Sequence, residues 1–127
     1  MDTLSELISY LVANLNYAGE DVDVFRHITP DEPSNVTVVV PYGGSSTPLF
    51  TDTSTKKYQI NVRRHKHSDA YNECKRIQKV LRSSSSVYIK LDSMDCPIAF
   101  LDEPFKLKTD EKNRVVYAFN ISITSKN

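Results

Sequence analysis

Val115, Tyr117, Phe119, Ile121 and Ile123 stand at every second position near the C-terminus, interleaved with Val116, Ala118, Asn120, Ser122 and Thr124. Side chains on a strand alternate between two faces, so a period of two sustained this long predicts a strand with one buried face. Such a strand needs hydrogen-bonding neighbours along its edges and an apolar layer over its inner face. The rest of the chain has to supply both.

Strand partners are legible. Tyr58, Ile60 and Val62 alternate with Lys57, Gln59, Asn61 and Arg63, which predicts a half-buried strand over 57–64. Phe105 and Leu107 alternate with Lys106 and Lys108, and the polar turn Asp110-Glu111-Lys112-Asn113 leads from them into the last strand. Val36 to Val40 is a β-branched run that Pro41 either ends or places at an edge. Weaker strand signals lie at Val22–Ile28, at Val87, Ile89 and Leu91, and, after a turn at Asp92–Asp95, at Pro97–Leu101. The stretch from Tyr42 to about Lys56 holds Gly43-Gly44, Pro48 and many Ser and Thr residues, and is expected to be a long irregular loop.

The apolar layer comes from two helices. Leu4, Leu7, Ile8, Leu11, Val12 and Leu15 recur with a 3.6-residue period, behind a Thr3/Glu6 capping box and ahead of Asn14, Asn16 and Gly19. Ala70, Cys74, Ile77 and Leu81 form a second stripe, with Ser68 as the N-cap and basic residues crowding the C-terminal end. Ser83 to Ser86 reads as a short flexible linker. Helices and strands do not alternate strictly, which predicts an α+β fold with a mostly antiparallel sheet and two helices packed on one face. A chain of 127 residues makes one domain, 1–127.

Charge and composition then narrow the function. Sixteen basic residues offset sixteen acidic ones, which argues against a strongly basic nucleic-acid binder. No apolar run approaches the ~20 residues that span a bilayer, and the acidic start Met1-Asp2-Thr3 does not read as a signal peptide. Cys74 and Cys96 form no ligand pair and are expected to be reduced, buried, small hydrophobes, although their count permits a disulfide.

No catalytic constellation emerges. His65 and His67 would share one face of a strand, yet no third ligand is placed beside them, so a solvated turn is favoured over a metal site. The carboxylate pairs Asp21/Asp23, Asp31/Glu32, Asp102/Glu103 and Asp110/Glu111 all fall at turns or edges, without the apolar wall that general acid catalysis needs. No nucleophile elbow or phosphate loop is present. The sequence therefore predicts a non-enzyme with no cofactor and no metal. The run Arg63-Arg64-His65-Lys66-His67, with Arg76, Lys79 and Arg82, leaves a small nucleic-acid-binding module as one alternative. An unrecognised hydrolase is a further one, and it would need a deep polar pocket.

From Pro104 through Phe105, Leu107, Asp110, Glu111 and Arg114 to Tyr117, Phe119 and Ile121, the chain resembles the tail terminator (minor capsid) proteins of bacteriophages with long, non-contractile tails. The order of elements along nearly the whole chain is also similar. That resemblance implies a structural virion protein that caps the tail tube as a hexameric ring, ends elongation and presents the head-joining surface. It implies self-association and contacts with the tail tube protein and the head connector or neck proteins, in the virion and, during assembly, in the host cytoplasm. A head–tail joining protein is the alternative within the same machinery. By this analogy Gly43 and Gly44 and the charged residues Arg63, Arg64, Asp110, Glu111 and Arg114 are the expected interface positions.

Overall fold

The computed structural model describes residues 3–46, 53–82, 88–91 and 94–126. Along the chain run α1 (Thr3–Leu15), β1 (Val24–Arg26), β2 (Val36–Ser46), β3 (Thr53–Arg64), α2 (His67–Arg82), β4 (Tyr88–Leu91), β5 (Met94–Phe100), β6 (Phe105–Thr109) and β7 (Val115–Lys126). The strands form one sheet in the order β1-β2-β3-β7-β5-β4, with β6 also on β7. The β1–β2 pair is parallel and the remaining pairs are antiparallel. This is the expected α+β fold.

The alternating C-terminal segment is the sheet's central strand. One edge of β7 pairs with β3 in unbroken register from Val115↔Arg64 to Lys126↔Thr53. Its other edge is shared by β6, opposite Val115–Ala118, and β5, opposite Ile121–Ile123. Phe119, Ile121 and Ile123 lie on one face beside Tyr58 and Ile60, all essentially inaccessible. Over them pack Leu7, Ile8, Leu11 and Leu15 of α1 and Cys74, Ile77 and Leu81 of α2. Each of these leucines and isoleucines contributes about 1.5–3 kcal/mol by leaving water. Cys74 and Cys96 are buried, reduced cysteines in this core, and burial pushes the Cys74 thiol up to about 12.

Several boundaries differ from expectation. Most of the supposed loop at 42–56 is strand. Gly43↔Lys57, Gly44↔Lys56, Ser45↔Thr55 and Ser46↔Ser54 pair in a long β2–β3 hairpin, while its tip at 47–52 lies outside the described residues. Pro41 does not end β2. A bulge falls between Pro41 and Gly43, beyond the Thr37–Val39 stretch that pairs with β1, so no strand there demands the N–H that proline lacks. The extra turn chemistry of Gly43-Gly44 serves this bulge, where Gly43 adopts φ 146°. β1 is shorter than expected because Gly19 starts a tight turn, its carbonyl accepting the N–H groups of Val22, Asp23 and Val24. A second bulge between Lys106 and Lys108 breaks the expected alternation of Phe105 with Leu107 and leaves Leu107 exposed. α2 starts at His67, one residue before the expected cap. The expected linker at 83–86 and the first half of the 92–95 turn lie outside the described residues.

α1 ends at Asn16, whose φ of 62° is left-handed, a conformation asparagine tolerates. The chain leaving it is tied down by Tyr17. The Tyr17 hydroxyl shares a 2.9 Å hydrogen bond with Thr37 of β2 and donates to Glu73 of α2. Glu73 also accepts Nε and Nη2 of Arg76 at 2.8 and 2.9 Å and lies 3.5 Å from Arg64 at the end of β3. Burial alone would raise the Glu73 carboxyl, but its bonds to Arg76 and Tyr17 and the nearby charges of Arg76 and Arg64 outweigh that and hold it below the usual glutamate value.

Two outcomes follow. Ile121→Ala removes a fully buried branched side chain from the strand paired on both edges, and is expected to cost about 2–5 kcal/mol in urea unfolding. Because the folded pKa of Glu73 is depressed, its stabilisation is present above the ordinary glutamate value of 4.5 and is lost as pH falls through the lower folded value. Glu73→Gln should therefore lower the urea midpoint at neutral pH and lessen its further fall towards about pH 3. An equal fall in both proteins would contradict the role given to Glu73.

Candidate interaction surface

The residues of β2, β3 and β7 that point away from the helices are also buried at one end of the sheet. Val36 faces Arg63, Arg63 faces Val116, Val38 faces Asn61, and Asn61 faces Ala118. Arg63 is only 4% exposed. The segment between Asp31 and Ser34 covers this end, and two arginines hold it by its backbone.

Arg63 donates through Nε to the Ser34 carbonyl at 3.0 Å and through Nη2 to those of Pro33 (2.6 Å) and Asp31 (3.2 Å). Arg114, 3% exposed, donates through Nη1 to the Asp31 carbonyl at 2.7 Å and through Nη2 to the Asp31 carboxylate at 3.2 Å. Its Nε donates to Asp110 Oδ2 at 2.8 Å. A planar guanidinium with fixed donors suits this task, since it satisfies several carbonyls while keeping its charge paired.

Asp110 in turn builds the β6–β7 turn. Its Oδ1 accepts the N–H groups of Lys112 (3.0 Å) and Arg114 (2.9 Å), and its own N–H donates to the Arg114 carbonyl at 2.9 Å. Asn113 closes the turn with φ 61°. Partial desolvation pushes the Asp110 carboxyl up, but the Arg114 N–H and guanidinium and the Lys112 N–H together hold it below the usual aspartate value. Lys112 reaches across to Asp31 at 2.7 Å and Glu32 at 3.4 Å. Its ammonium and the Arg114 guanidinium hold the Asp31 carboxyl low despite a smaller opposing desolvation. A polar cleft of about 460 Å³ opens here, with Thr29, Lys108 and Glu111 on its walls. Its two guanidiniums are already spent on carbonyls and carboxylates, while Asp31 and Glu32 stay 70% and 68% exposed.

The expected interface residues thus fall into three places. Asp110, Glu111, Arg114 and Arg63 come together at this clamp. Arg64 points to the other face, towards Glu73, and also donates to the Val36 carbonyl at 3.1 Å. Gly43 and Gly44 lie on the hairpin, seven and eight residues along β2 from Val36, roughly 20 Å or more away at strand rise. In the sequence, the clamp's other half shows only as a turn enforced by Pro30 and Pro33, with Asp31, Glu32, Ser34 and Asn35 keeping it wet. The cations that could have formed a nucleic-acid groove are also divided. Arg63 is buried, Arg64 and Arg76 share Glu73, and Lys79 and Arg82 lie at the far end of α2. His67 Nδ1 is 3.2 Å from the Tyr117 hydroxyl. Among the described residues, no group of three or more His, Cys, Asp or Glu is placed to hold a metal ion, and no helix is long and apolar enough to cross a membrane.

Replacing both guanidiniums tests the clamp. Arg63→Lys with Arg114→Lys keeps the charges but loses the forks. Backbone amides in 31–35 should then exchange with deuterium much faster, while those of β3 and β7 near Ile60 and Phe119 keep their protection.

A search of curated proteins finds no match. One of the solved structures similar to this protein superposes with a TM-score of 0.48 at 13% identity, over 97% of this chain and 90% of that one. Nothing further rests on that likeness. The sequence matches the family described as bacteriophage tail terminator protein over residues 10–127, nearly its whole length. The chain, with its central alternating strand and clamped C-terminal hairpin, belongs to the bacteriophage tail terminator family.

Proposed function

We propose that this protein caps the finished phage tail tube as a six-membered ring, ends tube elongation and presents the surface to which the head's neck proteins attach. The observation that carries the reading is membership of the tail terminator family across residues 10–127. A cap of this kind needs two unlike faces, one for the tube end and one for the connector. It needs no bond-making and no cofactor.

Two features of the chain support the division of labour. The β2–β3 hairpin, with Gly43 and Gly44, extends past the part of β2 that β1 covers, and offers an outer strand edge that another chain could pair. The Asp110–Asn113 turn offers exposed charge on a braced backbone. In this reading Gly43, Gly44, Asp110 and Glu111 lie at ring or tube contacts, and Arg63, Arg64 and Arg114 keep those contacts in shape. The protein is then a virion component at the head–tail junction, with itself, the tube protein and the connector proteins as partners.

The test is to interrupt the gene in the phage or prophage that carries it and to image the induced lysate by negative-stain electron microscopy. Overlong, irregular, headless tails are expected. Tails of normal length beside unattached heads would move the role to head–tail joining. Normal virions would overturn both roles.

A further inference from the structure

Beside its core-facing stripe, α2 carries Lys75, Gln78, Lys79 and Arg82, which line a groove of about 620 Å³. Lys75 pairs with Glu103 at 3.0 Å, and the Arg82 guanidinium lies 4.7 Å above the centre of the Phe100 ring. Among the described residues, Lys79 and Arg82 make no ion pair. Gln78 is 3% exposed, and among the described residues its buried Oε1 has no hydrogen-bond partner. A buried carbonyl oxygen left unpaired is costly, and in native proteins it marks a place where a donor belongs.

The groove therefore asks for two things at once, negative charge for Lys79 and Arg82 and an N–H or O–H donor for Gln78. A nucleic-acid phosphate brings only acceptors. An acidic stretch of polypeptide brings carboxylates together with backbone N–H groups. This chain carries such a stretch itself. Glu32 and Glu111 are exposed at the clamped turn, and among the described residues Glu111 makes no ion pair. The turn's two arginines are buried, so what it shows to solvent is mainly carboxylate, with Lys108 and Lys112 beside it.

The two surfaces are also set apart. α2 packs on the Phe119 face of β7, and Arg82 reaches Phe100, which pairs with Ile121. The clamp uses Arg63 on the opposite face, and its turn precedes Val115, six residues before Ile121 along β7. Complementary patches set apart in this way, on opposite faces of the sheet, do not meet within one molecule. Repeated between copies, they make a head-to-tail contact, which closes into a ring when the rotation allows. Zero net charge fits a chain whose charges are completed by its own neighbour.

We infer that the α2 groove at Lys79 and Arg82 receives the acidic Glu32/Glu111 turn of the next copy of this chain. The contact rests on the ring reading given above, and specifies which surfaces build the ring.

The experiment is a charge swap in the phage, scored by tail length in the microscope. All four side chains are exposed, so purified variants should stay folded, with the unfolding midpoint lowered only slightly by loss of the Arg82–Phe100 stacking and the surface Glu32–Lys112 pair. Lys79→Glu with Arg82→Glu should lose length control, and so should Glu32→Lys with Glu111→Lys. The chain carrying all four changes should regain it, because every contact in the ring is then reversed together. Normal tails from either pair alone, while gene interruption still gives overlong tails, would overturn the contact and leave the capping role standing. Loss of control in the groove variant with no effect of the turn variant would assign the groove to another anionic partner, nucleic acid included, and overturn the contact as well. Normal virions on interruption would instead overturn the capping role itself.

Discussion

β7 is hydrogen-bonded along both edges, and β3, β5, β6 and α2 all pack directly against it. Twelve consecutive residues pair with β3, and the opposite edge is divided between β6 and β5. Because strand side chains alternate, that register also fixes which residues face the helices. Slipping it by one residue would expose Phe119, Ile121 and Ile123 and bury Asn120 and Ser122. The cost of such a slip is the loss of several fully buried side chains at once, so the register has no close competitor.

Two polar hubs then position what the sheet leaves undetermined. Glu73 gathers Tyr17, Arg64 and Arg76, and so ties the exit of α1, the end of β3 and the middle of α2 at one point. Arg63 and Arg114 do the same on the other face for the Asp31–Ser34 segment and the β6–β7 turn. Both hubs spend their cations on the protein's own backbone and carboxylates. Among the described residues, exposed charge without an ion pair lies elsewhere, for example at Lys79 and Arg82 on α2, at Glu111 on the turn and at Lys56 and Lys57 on β3.

This division explains why a protein with no net charge can still have directional surfaces. Buried arginines contribute to shape, and exposed carboxylates and ammonium groups contribute to recognition. Composition counts both alike. What a surface of this kind can recognise depends on where charge is displayed more than on how much of it there is.

The sequence by itself determined the two helices, the alternating strands at 57–64 and 115–124, the turn at Asp110–Asn113 and the α+β class, because each follows from a period or a turn preference local to a few residues. It also carried the resemblance to tail terminators in the Pro104–Ile121 hairpin. The tertiary structure decided the rest. Gly43-Gly44 and the Ser/Thr residues around them lack an apolar period and look like loop, yet they pair as strands because β3 runs the full length of β7 and β2 follows β3. Arg63 looks like surface charge in an alternating strand, and is buried because a segment some thirty residues earlier folds over it and offers carbonyls. Alternation says which side of a strand a residue takes. What lies across from that side depends on contacts between residues distant in the chain, which no local pattern encodes.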